Sequence, residues 1–145
     1  MRWKIEMIKY SLDTNAVSDI IADRYNVKEK MKEELQKGNK IFINSIVYYE
    51  IVRGYKAAKR INKLKDFYNF YDRFFHSYLD RDNMEVIEKA ADIYNQLHKG
   101  QQIEDNDIYI AYIAAIAIVN DCTLVTANEK HFSRIEGLKY ENWRL

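Results

Sequence analysis

The chain reads as a single α/β domain built on a mostly parallel sheet of four to five strands. Three observations predict this. Short β-branched strands alternate with helical patterns along its 145 residues. The run Ile108 to Val119, IYIAYIAAIAIV, is apolar on every face and therefore suits a helix buried on all sides. With 48% hydrophobic and 14% aromatic residues, the chain has enough apolar surface for one core. Glycine is scarce, at 4, and proline absent, so no linker divides residues 1–145.

The elements follow in order. Ile8 to Leu12 makes a strand ending at Asp13, and Thr14 or Asn15 caps a helix from about Ala16 to Arg24. A second helix spans Val27 to Lys37 and stops at Gly38. Lys40 to Asn44 alternates as a strand, after which Ser45 caps a helix through Ile46, Val47, Glu50 and Ile51. Arg60 to about Tyr71 is helical, Phe74 to Leu79 a weaker strand, and Asn83 opens a helix that Gly100 closes. The buried helix comes next, preceded by Glu104, Asp105, Asn106 and Asp107. Asn120-Asp121 turns the chain into a strand at Thr123 to Thr126, and Leu138 to Tyr140 adds a last one.

Composition excludes several classes. A formal charge of +1 is no polycation, so a nucleic-acid partner requires clustered basic groups. One cysteine, Cys122, permits no internal disulfide and fits a reducing cytoplasm; it reads as a small buried residue. The N-terminus MRWKIEMIKY interrupts its apolar residues with charges, unlike a signal peptide, and Met7 is an alternative start that would make 1–6 an extension. No run approaches the roughly 20 apolar residues of a membrane span.

In a parallel sheet, ligands bind outside the carboxyl ends of the strands. Asp13 lies at one such end and Asn128 just beyond another. Asp107 heads the buried helix, and Glu50 sits early in the helix after the second strand. Asp105 and Asp107 compete for cap and site, and Asp107 is placed in the site because it directly precedes the apolar run. Two carboxylates about 4 Å apart repel by roughly 4 kcal/mol at an effective dielectric near 20. Three in one crevice therefore need protons or cations. Mg²⁺ suits such a set, since it takes oxygen ligands and is held by one or two carboxylates plus substrate phosphate. The chemistry that follows is phosphodiester hydrolysis.

These residues carry a resemblance. LDTN at 12–15, SIVYYEIVRG with Glu50 and Gly54, NDIYIA, LVTAN and the closing GLKYENW stand in the order found in PIN-domain ribonucleases. The chain is similar to the VapC-type toxins of prokaryotic toxin-antitoxin modules, over nearly its whole length. The resemblance implies a PIN-like three-layer α/β/α domain and a metal-dependent endoribonuclease. Its Mg²⁺ or Mn²⁺ would be held by Asp13, Glu50 and Asp107, with Asn128 in a fourth place where many relatives have an acid. It further implies Asn15 and Thr126 as orienting residues, Asp105 as an auxiliary, a metal-activated water as attacking group and a 5′-phosphate product. The implied partners are an RNA substrate, a second copy in a homodimer and a VapB-like antitoxin.

Arg53, Lys56, Arg60 and Lys63 line up one helical face, and near Glu50 they suit RNA phosphates. Tyr48, Tyr49, Tyr55, Phe67, Tyr68, Phe70, Tyr71, Phe74 and Phe75 are too many for the core to hide, which favours packing plus a partner surface over base stacking. His76, His98 and His131 lack metal-ligand spacing and read as surface or packing residues. Three rival readings stand beside the toxin. A phosphotransfer enzyme using Asp13 would want a second Asp where Asn15 stands. A PIN-like module that only binds gains from the neutral Asn128. A housekeeping processing nuclease keeps the chemistry and changes the biology.

Overall fold

The computed structural model describes residues 6–74, 78–79, 83–98 and 107–145. The order is β1 (Lys9–Leu12), α1 (Thr14–Ala22), α2 (Val27–Gln36), β2 (Lys40–Asn44), α3 (Ser45–Ala57), α4 (Ile61–Phe74), β3 (Tyr78–Leu79), α5 (Met84–Leu97), α6 (Asp107–Val119), β4 (Thr123–Val125), α7 (Glu129–Phe132) and β5 (Tyr140–Glu141). The five strands lie in the order β3-β2-β1-β4-β5, all neighbours parallel. With this strand order, the right-handed rule for parallel crossovers assigns α1 to α4 to one face and α5 and α6 to the other. The direction of winding reverses between β1 and β4. Their carboxyl ends, Leu12 paired with Val125, therefore border the crevice where a doubly wound sheet binds ligands.

Local chemistry moves several expected boundaries. Asp13 itself caps α1, its Oδ1 accepting the Thr14 N–H at 2.8 Å, while Thr14 and Asn15 lie inside the helix. A carboxylate with extended backbone (φ −76°, ψ 165°) directly before the helix is a better acceptor for those amides than either later residue. The cap of α3 is likewise Asn44, whose Oδ1 accepts from the Val47 N–H at 2.8 Å, and not Ser45. The proposed strand from Phe74 starts later because α4 keeps Phe74, where its ring meets Phe70 one turn back at 5.4 Å. The last strand is displaced to Tyr140–Glu141, since Leu138 still belongs to the turn at Gly137, φ +81°. Gly100, Glu104, Asp105, Phe75 and His76 lie outside the described residues.

The continuous basic face does not form. α3 ends at Ala57, Lys59 takes a left-handed φ of +55°, and Arg60 precedes α4. Arg53 and Lys56 therefore belong to one helix, Arg60 and Lys63 to the start of the next. The aromatics mostly pack where these helices meet. Phe67 is fully buried, and the Tyr48 ring meets Phe67 at 5.2 Å and Tyr71 at 5.1 Å, both edge-on. Tyr49 stays half exposed.

α6 is largely buried, with Ile110, Ala111 and Ile113 to Ala117 among its buried residues. Its alanines let α5 approach closely. The expectation of burial on all sides fails at its first turn, where Ile108 is 51% exposed. Cys122 is buried, and burial pushes its thiol up to about 11, which makes it a poor nucleophile.

Two buried carboxylates, Asp19 and Glu34, tie α1 and α2 to neighbouring segments. Asp19 on α1 receives Arg144 Nε at 2.7 Å and Nη2 at 3.2 Å, while Arg144 also lies over the Tyr25 ring at 4.6 Å. This clamps the C-terminal residues to the α1–α2 turn. Glu34 on α2 accepts from Asn39 Nδ2 at 2.7 Å, Lys30 Nζ at 3.0 Å, Lys37 Nζ at 3.3 Å and the Tyr10 hydroxyl at 3.3 Å. Burial alone would raise its pKa, but these donors outweigh burial and hold it at about 2. Because the folded pKa lies below the ordinary 4.5, the stabilisation is present above pH 4.5 and lost as pH falls towards 2. Over that range the wild type should lose roughly 3 kcal/mol that a Glu34→Gln variant does not lose. Urea unfolding of both proteins between pH 5 and 2 measures the difference.

Candidate metal centre and nucleic-acid crevice

The crevice at the β1/β4 switch point is about 280 Å³ and is lined by Asp13, Thr14, Asn15, Glu50, Tyr109, Ile110, Ile113, Asn128 and Phe132. A larger hollow, about 560 Å³, lies between α2 and the C-terminal residues but contains none of the predicted site residues.

Asp13 is the most constrained group in the crevice. Its backbone N–H extends the β1–β4 ladder by donating to the Val125 carbonyl at 2.9 Å. Its Oδ2 accepts from Thr126 Oγ1 at 2.7 Å and Asn15 Nδ2 at 3.2 Å. The same Thr126 oxygen accepts the Asn128 N–H at 3.0 Å, and Asn15 Oδ1 accepts the Ala127 N–H at 3.0 Å. Asn15 and Thr126 thus orient Asp13 and tie it to the loop that carries Asn128. Burial raises the Asp13 pKa, and the hydrogen bonds from Thr126, Thr14 and Asn15 oppose that rise.

Glu50 arrives from α3. Thr14 Oγ1 donates to its Oε2 at 3.2 Å, so Thr14, expected only as a possible helix cap, reaches across to the second acid. Glu50 Oε1 is buried without a hydrogen-bond partner. Its pKa is also raised, by burial and then by the Asp13 charge, with Thr14 and Arg53 pulling the other way. Two neighbouring carboxylates, both penalised for being charged, with one buried oxygen unpartnered, are suited to a hard divalent cation that also takes water and phosphate oxygens.

Asp107 is placed differently from the expectation of three converging carboxylates. It heads α6, whose Ile110 and Ile113 wall the crevice, but it is not itself on the lining. Its Oδ1 lies 3.5 Å from Arg134 Nη2 and its Oδ2 3.6 Å from His98 Nε2. His98 is therefore more than a surface or packing residue: its side chain is 12% exposed, its ring lies 4.1 Å from that of Tyr94, and it faces an acid. Neither Arg134 nor His98 follows a spacing that would have revealed this contact. Among the described residues, no three His, Cys, Asp or Glu side chains gather in a metal-holding group. The acid pair in the crevice is Asp13 and Glu50; Asn15 Nδ2 and Thr126 Oγ1 donate to Asp13, Thr14 Oγ1 donates to Glu50, and the neutral Asn128 lines the same space. Asp105 lies outside the described residues.

With this geometry established, comparison with known proteins places the fold. The PIN domain family model matches residues 10–138, and the chain belongs to the PIN-domain family. Within that family it is similar to proteins named ribonuclease VapC. Ribonuclease VapC2 of Rickettsia felis is 33% identical over 142 residues, covering 92% of this chain and 97% of that protein. Ribonuclease VapC1 of Methanocaldococcus jannaschii is 34% identical over 137 residues, covering 92% and 88%. The structure of VapBC2 from Rickettsia felis, bound to a DNA fragment from their promoter, superposes with a TM-score of 0.78 at 31% identity, over 94% of this chain and 99% of that one.

Thr126 supports both Asp13 and the Asn128 loop through one oxygen and is 1% exposed. Thr126→Val keeps the volume, removes one of the two side-chain donors to Asp13 Oδ2 and takes away the acceptor of the Asn128 N–H. It should cost about 1–3 kcal/mol in chemical unfolding.

Proposed function

We propose that the protein is a metal-dependent endoribonuclease and the toxin of a VapBC-type module, acting in the cytoplasm. The observation that carries this reading is the Asp13–Glu50 pair in the switch-point crevice, with Glu50 Oε1 buried and unpartnered. Family membership and the likeness to ribonucleases support the substrate class. Asp13 and Glu50 would hold Mg²⁺ or Mn²⁺, with Asp107 as the third carboxylate of the set and Asn128 supporting through a neutral oxygen. Such an ion supplies Lewis acidity towards a phosphate oxygen and lowers the pKa of a water.

The chain's own groups do the positioning. Thr126 and Asn15 fix the orientation of Asp13, and Thr14 couples it to Glu50. Arg53 acts on the Glu50 charge and is the first of the basic residues available to a phosphate; Lys56 is on the same helix, with Arg60 and Lys63 beyond the break. Ile110, Ile113 and Phe132 give the crevice an apolar wall that limits water around the carboxylates. The partners proposed are RNA, a VapB-like antitoxin and a second copy in a homodimer. The solved relatives from Rickettsia felis and Salmonella typhimurium are VapBC complexes bound to DNA. Among the described residues no helix is long and apolar enough to cross a membrane.

A second reading, a PIN-like module that binds without cutting, draws on one observation. Asp107 already has Arg134 and His98 beside it, and Asn128 is neutral. Incubation of the purified protein with total RNA and Mn²⁺ separates the two. The nuclease reading expects cleavage that EDTA abolishes and that Asp13→Asn, Glu50→Gln and Asp107→Asn each reduce by roughly 100-fold or more, with a smaller loss for Asn128→Ala. Equal cleavage by the Asp13→Asn protein would remove Asp13 from the site.

Asp13→Asn preserves the helix cap and deletes a charge that burial disfavours. In metal-free neutral buffer the variant should melt above the wild type. Added Mn²⁺ should raise the wild-type midpoint and leave the variant unchanged, as read by differential scanning fluorimetry.

A further inference from the structure

We infer that the hollow beside the crevice, walled by Tyr49 and Tyr109, is a subsite for one unpaired RNA base next to the scissile phosphate. This rests on the ribonuclease reading and adds to it how the substrate is gripped. The hollow is about 450 Å³ and is lined by Ser45, Ile46, Tyr49 and Tyr109, with no acid among them. Tyr109 also lines the crevice that holds Asp13 and Glu50, so the two spaces adjoin across one ring.

The geometry suits a flat ligand. The Tyr49 and Tyr109 rings are 24° from parallel with centroids 6.5 Å apart, at the wide end of the range for stacked rings. Tyr48 packs against Phe67 and Tyr71 at 5.2 and 5.1 Å, whereas Tyr49 remains 50% exposed. Burying such a ring against a base is favourable for any base, because every base offers a π-face.

Charge selects the occupant. Arg53 lies over the Tyr49 ring, 6.0 Å from its centroid, and acts on the Glu50 charge as well. The cationic group therefore stands between the aromatic hollow and the acidic crevice. A polyanion threading from one to the other meets Arg53 at its backbone and Tyr49 at its base, and Lys56 lies one turn further along α3. A duplex keeps its bases stacked inward, so the subsite takes single-stranded or looped RNA.

The test uses an RNA oligonucleotide that the wild type cuts, with single abasic positions walked across the nucleotides flanking the cut. One abasic position should raise the wild-type KM by about 10-fold with little change in kcat. Tyr49→Ala should raise KM by a similar factor on the intact RNA and show no further penalty at that abasic position, while Tyr49→Phe behaves as wild type. An independent readout is 2-aminopurine at the same position, quenched on binding to the Asp13→Asn protein and not to the Asp13→Asn, Tyr49→Ala double variant. If the wild type cuts no RNA, the ribonuclease reading fails and the subsite fails with it. If the wild type cuts and Tyr49→Ala retains both KM and the abasic penalty, the subsite alone is overturned. A change of mass in solution for Tyr49→Ala by light scattering would assign the hollow to a second copy of the chain and overturn the base subsite as well.

Discussion

The structure turns on the hydrogen bond from Thr126 Oγ1 to Asp13 Oδ2, 2.7 Å long and bridging 113 residues of sequence. It joins the carboxyl ends of β1 and β4 at the point where the sheet reverses its winding. One buried side-chain oxygen thereby does two things: it orients an acid and, through the Asn128 N–H, anchors the loop that borders the crevice. The amide of Asp13 belongs to the sheet and its carboxylate to both the helix cap and the crevice. Fold and site therefore share a residue that can shift in neither without disturbing the other.

Charge compensation separates the carboxylates of this protein into two kinds. Asp19 and Glu34 are buried and fully answered from within, by Arg144 and Arg24 in one case and by Lys30, Lys37, Asn39 and Tyr10 in the other. They fasten the C-terminal residues and α2 to the sheet. Asp13 and Glu50 are answered only by neutral donors and a distant Arg53, and burial pushes both pKa values up. Groups left in that condition carry a standing free-energy cost that a bound cation relieves. Asp107 stands between the two kinds, with Arg134 and His98 at 3.5 and 3.6 Å, beyond close ion-pair range.

The aromatic content divides in a similar way. Edge-on contacts of Tyr48 with Phe67 and Tyr71 hold α3 against α4, and this pairing fixes the helix from which Glu50 projects. Tyr49 is the next residue along from Tyr48, about 100° around the helix, so packing one ring exposes the other beside Glu50.

Alternating strands and helices, the wholly apolar α6 and the caps before each helix are local patterns, and the sequence by itself determined the α/β class, the parallel sheet and the positions of Asp13, Glu50 and Asn128 near its carboxyl edge. The choice of cap residue was less legible, because Asp13, Thr14 and Asn15 all form caps and only the backbone angles select among them. The broken basic face depended on one left-handed residue, Lys59, that no periodicity reveals. Tertiary structure alone decided that Thr14 reaches Glu50 and that Arg134 and His98 meet Asp107, whereas Thr126 as an orienting residue was already implied by the resemblance. The Thr14–Glu50, Arg134–Asp107 and His98–Asp107 contacts join residues 36, 27 and nine positions apart, with no shared spacing to announce them. Helix and strand periods record which face of an element is buried, whereas a side-chain pair across elements depends on the crossing of the chain in space.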